Sequence, residues 1–115
     1  MSLSPDLGGA LAALLGPQGY ASGADVPEAT RTDASRTGEV MPLALLRPAS
    51  VQEVSGALRL CHDHGQRVVV QGGMTGLAGG ANPMPGEVAL SLARLSGVEE
   101  IDAEAGLMVV RAGTV

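Results

Sequence analysis

A cluster of five glycines within eleven residues constrains this sequence more than any other feature. The segment, here called the glycine loop, spans residues 71–81 and follows a short β-branched run, Arg67 to Val70, that is predicted to be a strand. Glycine adopts positive φ at no steric cost and leaves no Cβ between the backbone amides and a ligand. The loop therefore predicts a nest of N–H groups that binds an anion. The Thr75 hydroxyl and the Gln71 side-chain amide are the expected further donors to a phosphate oxygen.

The spacing of the glycines argues against two other kinds of nucleotide-binding loop. A Walker A loop requires Gly-Lys-Ser/Thr, and the chain contains no lysine. The glycines give no Gly-x-Gly-x-x-Gly in any register, which argues against a nicotinamide dinucleotide fold. A plain surface loop between strands stays open as an alternative. A helix interface through Gly72, Gly76 and Gly80 is discounted, because each glycine costs about 1 kcal/mol in a soluble helix.

The chain before residue 40 is predicted to contain one helix and a long loop. Ser4 is the expected N-cap and Pro5 fits the first helical position, while Gly16 ends the helix before a proline. Residues at helical spacing define one buried face: Leu7, Ala10, Leu11, Leu14 and Leu15. Residues 18–39 are polar and rich in Gly, Pro, Ser and Thr without sustained periodicity, so they are predicted to be a loop.

Residues 40–70 are predicted to form one βαβ unit. Val40 to Arg47 is a short apolar run, as in a strand buried on both faces. The following helix opens with the capping box of Ser50 and Glu53 and ends in a left-handed cap at Gly65. Its apolar stripe consists of Val51, Val54, Leu58 and Cys61. A strand, a helix and a strand in this order imply a parallel crossover.

Three further strands are predicted after the glycine loop. Glu87 to Leu92 carries alternating apolar residues, and Val98 to Asp102 can pair with Leu107 to Arg111 across a turn at residues 103–106. Val115 follows this last strand without a cap or a terminal helix, which predicts that the sequence is truncated relative to a larger parent. The exposed apolar edge of a truncated chain is expected to favour a homo-oligomer.

Charge and composition argue against several kinds of site. The formal net charge is −5 and the seven basic residues are scattered arginines, which argues against a nucleic-acid surface. Cys61 is the only cysteine, so no disulfide or thiolate zinc framework forms within the chain. His62 and His64 complement the negative end of the helix and no metal site is predicted. No apolar run reaches the roughly 18–20 residues of a membrane span and no signal peptide is evident, so a cytoplasmic protein is expected.

Four runs of residues resemble one family in order and in spacing. They are Leu46-Arg47-Pro48-Ala49-Ser50-Val51-Gln52-Glu53-Val54, Cys61-His62-Asp63-His64-Gly65, Gln71-Gly72-Gly73-Met74-Thr75-Gly76-Leu77 and Leu90-Ser91-Leu92-Ala93-Arg94-Leu95. Together they resemble the FAD-binding half, of the PCMH type, of the vanillyl-alcohol-oxidase-like flavoproteins. Within that superfamily the sequence is most similar to the branch of D-lactate, glycolate and D-2-hydroxyglutarate dehydrogenases. The resemblance covers about residues 33–115.

The resemblance implies an α+β fold in which a βαβ unit, a small mixed or parallel sheet and an N-terminal helix form an FAD-binding subdomain. It implies a division into residues 1–39, the N-terminal helix and loop, and residues 40–115, an incomplete N-terminal portion of the FAD-binding domain. It also implies that the glycine loop lies along the FAD diphosphate, with main-chain amides as the chief donors. The residues nominated for this role are Gln71, Gly72, Gly73, Met74, Thr75, Gly76, Leu77, Gly79 and Gly80.

Two residues depart from the family pattern. The family usually has proline where Val70 stands, and most often asparagine, or glycine, where Met74 stands. Relatives that attach FAD covalently in this loop carry a histidine directly after the two glycines. Methionine forms no such bond, so the FAD is expected to be noncovalent.

The resemblance implies that the parent enzyme oxidises a small D-2-hydroxy acid to a 2-oxo acid, in the cytoplasm or at a membrane periphery. In the family, a cap domain and the C-terminal part of the chain bind the substrate and abstract its proton. Neither is present in this sequence, so no catalytic residue is predicted. Two alternatives stay open. One is a noncatalytic chain, either a truncated or decayed reading frame or a subunit that binds flavin or a partner without turnover. The other is a small structural α/β domain with an unoccupied loop.

Overall fold

The computed structural model describes residues 2–115 and has the α+β class that the sequence predicts. The elements in chain order are α1 (Pro5–Leu15), β1 (Tyr20–Ser22), β2 (Ala44–Leu46), α2 (Val51–Asp63), β3 (Val68–Gln71), β4 (Val88–Ser91), β5 (Val98–Asp102) and β6 (Leu107–Val110). Two 3₁₀-helices, Gly23–Asp25 and Glu28–Arg31, lie between β1 and β2. Neither α-helix in this described part has the length and apolarity needed to cross a bilayer.

Four strands form one mixed sheet in the order β1-β2-β4-β3. β2 and β3 are both parallel to β4, which lies between them, and β1 is antiparallel to β2. The predicted βαβ unit is therefore split, because the strands that α2 connects are not neighbours. β4 occupies the position between them with all of its residues buried, as suits a strand covered on both faces. β2 is also shorter than the predicted strand of Val40 to Arg47.

The prediction of a loop over residues 18–39 was wrong in part, because this segment contains β1 and both 3₁₀-helices. Tyr20 pairs with Leu46, and the Arg47 amide donates to the Gly19 carbonyl over 2.7 Å. β1 has only three residues, too few for the two-residue alternation of a strand to show in the sequence. Its conformation depends on pairing with β2 rather than on local propensity.

The main core lies between one face of the sheet and the two helices. Its buried side chains are Leu7, Leu11, Leu15, Ala44, Leu46, Ala57, Cys61, Val88 and Leu90. Of the stripe predicted for α2, Cys61 is buried but Val51 and Leu58 are exposed. The helices approach so closely that a Cβ on Gly56 would lie 3.0 Å from Leu14 Cδ2. Small residues therefore set the contact face of α2, and Leu14, predicted to be buried, is 37% exposed.

A smaller cluster on the opposite face of the sheet consists of Val26, Leu45 and Ala89. Val26 comes from the segment before residue 40, as does α1 in the main core. Both hydrophobic clusters are thus shared between residues 1–39 and residues 40–115. The division of the chain at this point stays a prediction.

The two helices differ in how their first turns are capped. In α2 the Ser50 hydroxyl accepts from the Glu53 amide over 3.1 Å, and the Glu53 carboxylate accepts from the Ala49 amide over 2.7 Å. Gly65 follows this helix with φ of 63°, as predicted for a left-handed cap. In α1 the Ser4 side chain is exposed and makes no hydrogen bond to the first turn, so the predicted capping bond is absent. Water satisfies such free amides at an exposed helix end.

The predicted hairpin of β5 and β6 is confirmed and forms a second, two-stranded sheet. Asp102 lies opposite Leu107, and an irregularity interrupts the pairing between Val98 and Glu100. Gly106 has φ of 68°, which the tight turn requires. Every residue of both strands is exposed. The hairpin thus contributes no side chain to either hydrophobic cluster of the four-stranded sheet.

Candidate functional site

The glycine loop begins at the carboxyl end of β3, on the sheet edge where β2 and β4 also end. Arg47 follows β2 at this edge, and the Arg94 guanidinium, from the turn after β4, donates to the Arg47 carbonyl over 3.0 Å. Ligands of open parallel sheets bind outside the carboxyl ends of the strands, where the connecting loops converge. The glycine loop therefore lies where a ligand site is expected, with two exposed arginines on the same edge.

Most backbone amides of the glycine loop have no partner. Among residues 2–115, the N–H groups of residues 72–78 and of Gly80 donate to no other group of the chain. The Gly79 N–H donates to the Asp33 carboxylate over 2.9 Å. The Thr75 hydroxyl is exposed and likewise makes no hydrogen bond to the described residues. Because backbone amides are strong donors, this run gives the loop the capacity to bind an anion such as a diphosphate.

The glycines of the loop meet different structural requirements. Gly79 alone among them has a left-handed backbone, with φ of 76°, so the expected need for positive φ applies there and not at the other four. A Cβ on Gly72 or on Gly80 would meet no atom within 4 Å. At these two positions the absence of a side chain leaves open space, which close approach of a ligand to the main chain requires.

Two other glycines allow close approach of the protein to itself. A Cβ on Gly73 would lie 3.0 Å from Val115 Cγ2, so the segment after β6 packs against the loop. A Cβ on Gly76 would lie 3.6 Å from the Asp33 carboxylate, which is ordinary contact. The loop is thus bordered by the segment after β6 and by a carboxylate from the N-terminal part of the chain.

Met74 adopts a left-handed backbone with φ of 60°, which residues other than glycine rarely do. This conformation costs a residue with a Cβ roughly 1 kcal/mol, and glycine and asparagine tolerate it best. These are the residues that the family pattern has at this position.

Val70, the other departure, is an exposed residue of an edge strand, where proline is tolerated. Leu77 is 79% exposed.

The Gln71 side chain holds the loop and is not free to donate to a ligand. It is 2% exposed, and its amide nitrogen donates to the Thr30 carbonyl over 2.7 Å and to the Ala81 carbonyl over 3.0 Å. A side-chain amide has two hydrogens, so both are used. The expectation that this amide donates to a phosphate oxygen is therefore wrong. The side chain instead bridges the two ends of the glycine loop.

Asp33 is a residue of this region that the sequence analysis did not select. Its carboxylate accepts from the Gly79 amide and, over 2.9 Å, from the Ser35 amide, while its own amide donates to the Asn82 side-chain oxygen over 2.8 Å. Hydrogen bonding by the Ser35 side chain, and then by the Ser35 and Gly79 amides, outweighs burial and lowers the pKa of the Asp33 carboxyl. The Asp-x-Ser spacing signals a local turn. Nothing in the spacing signals the contact with residue 79.

The cysteine and the histidines lie at the end of α2, away from the glycine loop in the chain. Cys61 is buried in the main core, and burial raises the pKa of its thiol. His64 Nδ1 lies 2.9 Å from the Leu60 carbonyl in the last turn of the helix, and His62 is exposed. In the part of the chain that the structure describes, no three His, Cys, Asp or Glu side chains come together as a metal site.

A cavity of about 580 Å³ lies elsewhere, between the start of α1 and β1. Tyr20, Gly8 and Met41 are among its lining residues, none of which is charged. No basic side chain lines it, whereas Arg47 and Arg94 lie at the sheet edge where the glycine loop begins. The glycine loop is therefore the better candidate site, although it forms an open surface.

Comparison with known sequences identifies the family of the chain. The profile of the family described as FAD binding domain matches residues 42–115. Mitochondrial D-2-hydroxyglutarate dehydrogenase of Bos taurus is 39% identical over 88 residues, which cover 76% of this chain and 16% of the relative. D-2-hydroxyglutarate dehydrogenase of Xanthomonas citri is 40% identical over 81 residues, which cover 70% of this chain and 17% of the relative. The chain thus spans less than a fifth of the length of these curated relatives.

Solved structures show the same fold. Alkyldihydroxyacetonephosphate synthase superposes with a TM-score of 0.82 and 19% identity over 98% of this chain and 23% of its own. p-Cresol methylhydroxylase superposes with a TM-score of 0.76 and 22% identity over 95% of this chain and 22% of its own. These superpositions confirm the fold that the resemblance to the vanillyl-alcohol-oxidase-like flavoproteins implies. Because the family profile covers more than half of the sequence and the fold agrees, this chain belongs to the FAD binding domain family, and FAD is its cofactor.

Proposed function

We propose that this chain is the diphosphate-binding part of a flavin-dependent oxidoreductase, and that the parent enzyme oxidises a D-2-hydroxy acid to the 2-oxo acid. The observation that carries the first part is the run of free backbone amides over residues 72–78. The second part is supported by relatives named D-2-hydroxyglutarate dehydrogenase, a name that specifies a D-2-hydroxy acid.

We infer that the main chain of the glycine loop holds the FAD diphosphate. The residues assigned are Gln71, Gly72, Gly73, Met74, Thr75, Gly76, Leu77, Gly79 and Gly80. The free amides donate, the open positions at Gly72 and Gly80 admit the ligand, and Gln71 keeps the ends of the loop together. Met74 offers no imidazole for a covalent bond, so the cofactor is held by noncovalent contacts alone.

FAD, when bound, supplies the redox chemistry of the oxidation. The residues of this chain bind and orient it. No side chain of residues 72–80 is titratable, so a base that takes the substrate proton must come from another part of the parent enzyme. We assign that role to the cap and C-terminal portion of the longer protein, which also binds the hydroxy acid.

We also propose that the protein is located in the cytoplasm. The parent enzyme is proposed to be at most peripherally attached to a membrane. The free buried thiol of Cys61 suits a reducing compartment. The name of the Bos taurus relative specifies mitochondria, so fractionation of the tagged protein between cytosol and mitochondria tests the location.

A homo-oligomer through the exposed hairpin is also proposed, and sedimentation velocity of the purified chain tests it.

The first test is the retention of FAD by the purified chain. We expect added FAD to co-elute in gel filtration with perturbed visible bands. Gly72→Ala places a Cβ in the open space at the loop and is expected to weaken FAD binding about tenfold or more without loss of folding. Gly9→Ala is the matched control, because a Cβ there also meets no atom within 4 Å but lies on α1.

A folded chain that retains no FAD contradicts the proposal and favours the structural domain. Equal binding by wild type and Gly72→Ala contradicts the use of this loop. Retention of FAD without oxidation of a D-2-hydroxy acid, measured with a dye acceptor in the full-length parent protein, favours the noncatalytic flavin-binding alternative.

A further inference from the structure

Residues 30–37 contact both ends of the glycine loop. At the start of the loop, Gln71 donates to the Thr30 carbonyl. At the far end, the Gly79 amide donates to the Asp33 carboxylate. The amides between these two contacts are free. The segment therefore holds the loop at its ends and leaves its middle unpaired.

Asp33 differs from the other buried polar residues of this region in being charged. It is 5% exposed, and it is the only buried carboxylic acid among residues 2–115. Burial of a charge is costly unless hydrogen bonds compensate, and here two backbone amides donate to the carboxylate. Of these two contacts, only the one with Gly79 reaches the glycine loop.

We propose that Asp33 is a positioning residue of the FAD site: its carboxylate fixes Gly79 and thereby keeps the amides of residues 72–78 in the arrangement that binds the diphosphate. The inference rests on the proposed FAD binding by this loop. Asp33 lies outside residues 42–115, which the family profile matches, so the profile does not assign it a role.

The physical reason lies in the composition of the loop. Glycine-rich backbone has many accessible conformations, and only a fraction of them presents the amides correctly. The apparent affinity for a ligand falls in proportion to that fraction. A hydrogen bond from Gly79 to a buried, charged acceptor restricts the loop, and charged acceptors make the stronger bonds. Loss of the acceptor therefore weakens FAD binding although no ligand contact is removed.

The test compares Asp33→Asn and Asp33→Ala with a matched control, Asp25→Asn. Asp25 is an exposed carboxylate of the 3₁₀-helix Gly23–Asp25 and makes no hydrogen bond to the glycine loop. FAD affinity is measured by flavin fluorescence at a temperature where circular dichroism shows all variants folded. We expect about tenfold weaker binding for Asp33→Asn, a larger loss for Asp33→Ala, and a change within about twofold for Asp25→Asn.

Hydrogen exchange separates the role of Asp33 from the proposed function. The Gly79 amide is expected to exchange about tenfold faster in Asp33→Asn and at an unchanged rate in Asp25→Asn. Wild-type affinity in both Asp33 variants, or an equal loss in Asp25→Asn, overturns the inference while FAD binding by the wild type stands. A wild type that binds no FAD overturns the proposed function itself. If the Asp33 variants do not fold, Asn82→Ala replaces them, and undiminished FAD binding by that variant is the overturning result.

Discussion

The glycine loop and the hairpin of β5 and β6 are both exposed, but they leave opposite kinds of group without a partner. The loop has free N–H donors over residues 72–78. The hairpin pairs its own backbone but exposes large apolar side chains: Val98, Ile101, Leu107, Met108, Val109 and Val110. Unpaired donors suit a polar ligand, whereas uncovered apolar side chains suit an apolar contact. The function of an exposed surface therefore depends on which groups it leaves without a partner, and not on its exposure alone.

The two regions also differ in how they are attached to the sheet. Buried polar side chains hold the loop, whereas the hairpin is joined through Gly113, whose amide donates to the Leu95 carbonyl over 2.7 Å. The position that a Cβ on Gly113 would take is already filled by the Leu92 carbonyl. Substitutions at these attachment points therefore test whether loop and hairpin depend on different forces.

The largest effect is expected for Gly113→Ala. The added Cβ overlaps a backbone carbonyl that cannot rotate away, so we expect a loss of about 3 kcal/mol in the free energy of unfolding. Urea denaturation followed by circular dichroism measures it. Gly80→Ala, where a Cβ meets no atom, is the control. Equal stability of the two variants would mean that the hairpin is not attached at Gly113.

Gln71→Leu is expected to cost about 2 kcal/mol, because it leaves the buried Thr30 carbonyl and the partly buried Ala81 carbonyl without their donor. Thermal unfolding measures the loss. Gln66→Leu is the matched control: Gln66 also donates to two carbonyls, those of Arg67 and Gly86, but it is not buried. If both glutamine variants lose the same free energy of unfolding, the burial of Gln71 does not make its hydrogen bonds more important than those of Gln66.

Met74→Gly is expected to stabilise the chain by about 1 kcal/mol, since it relieves a left-handed backbone at a residue with a Cβ. Met74→Ala keeps the Cβ and is expected to give no gain. The midpoint of urea unfolding decides between them. A gain with alanine as large as that with glycine would assign the effect to the methionine side chain rather than to the backbone.

The smallest effect on stability is expected in the hairpin. Ile101→Thr with Met108→Thr changes two paired, exposed residues, so the free energy of unfolding should change by no more than about 0.5 kcal/mol. Self-association, measured by sedimentation velocity, should fall. Leu58→Thr, at an exposed position of α2, is the control and should leave association unchanged. Unaltered association in the double variant speaks against the hairpin as the contact surface.

The parts of the fold that the sequence predicted are those with local signals. α2 was found through Ser50, Glu53 and Gly65, each of which acts within a few residues of its own position. The hairpin was found from two apolar runs separated by a short turn. The place of β4 between β2 and β3 had no such signal, because strand order depends on contacts between distant parts of the chain.

The candidate site divides in the same way. The glycines mark the loop in the sequence, so its position was predictable, but the bond between Asp33 and Gly79 joins residues 46 positions apart. The Gln71 side chain was predicted to donate to a phosphate oxygen, but it donates to the Thr30 carbonyl instead. That contact joins distant parts of the chain and has no signal in the sequence. The left-handed backbone of Met74 was not predicted either, although the departure from the family pattern fell on that residue.

The attachment of the loop to residues 30–37 has a consequence for the order of folding. The bonds from Gln71 to Thr30 and from Gly79 to Asp33 close chain segments of 41 and 46 residues. Closing long segments carries an entropy cost that must be met before the contacts form, and such contacts form late. We therefore expect the loop to take its final shape only after helix α2 and the sheet have brought the N-terminal segment into place. A fragment starting at residue 42 would keep all five glycines and still lack the partners that shape them.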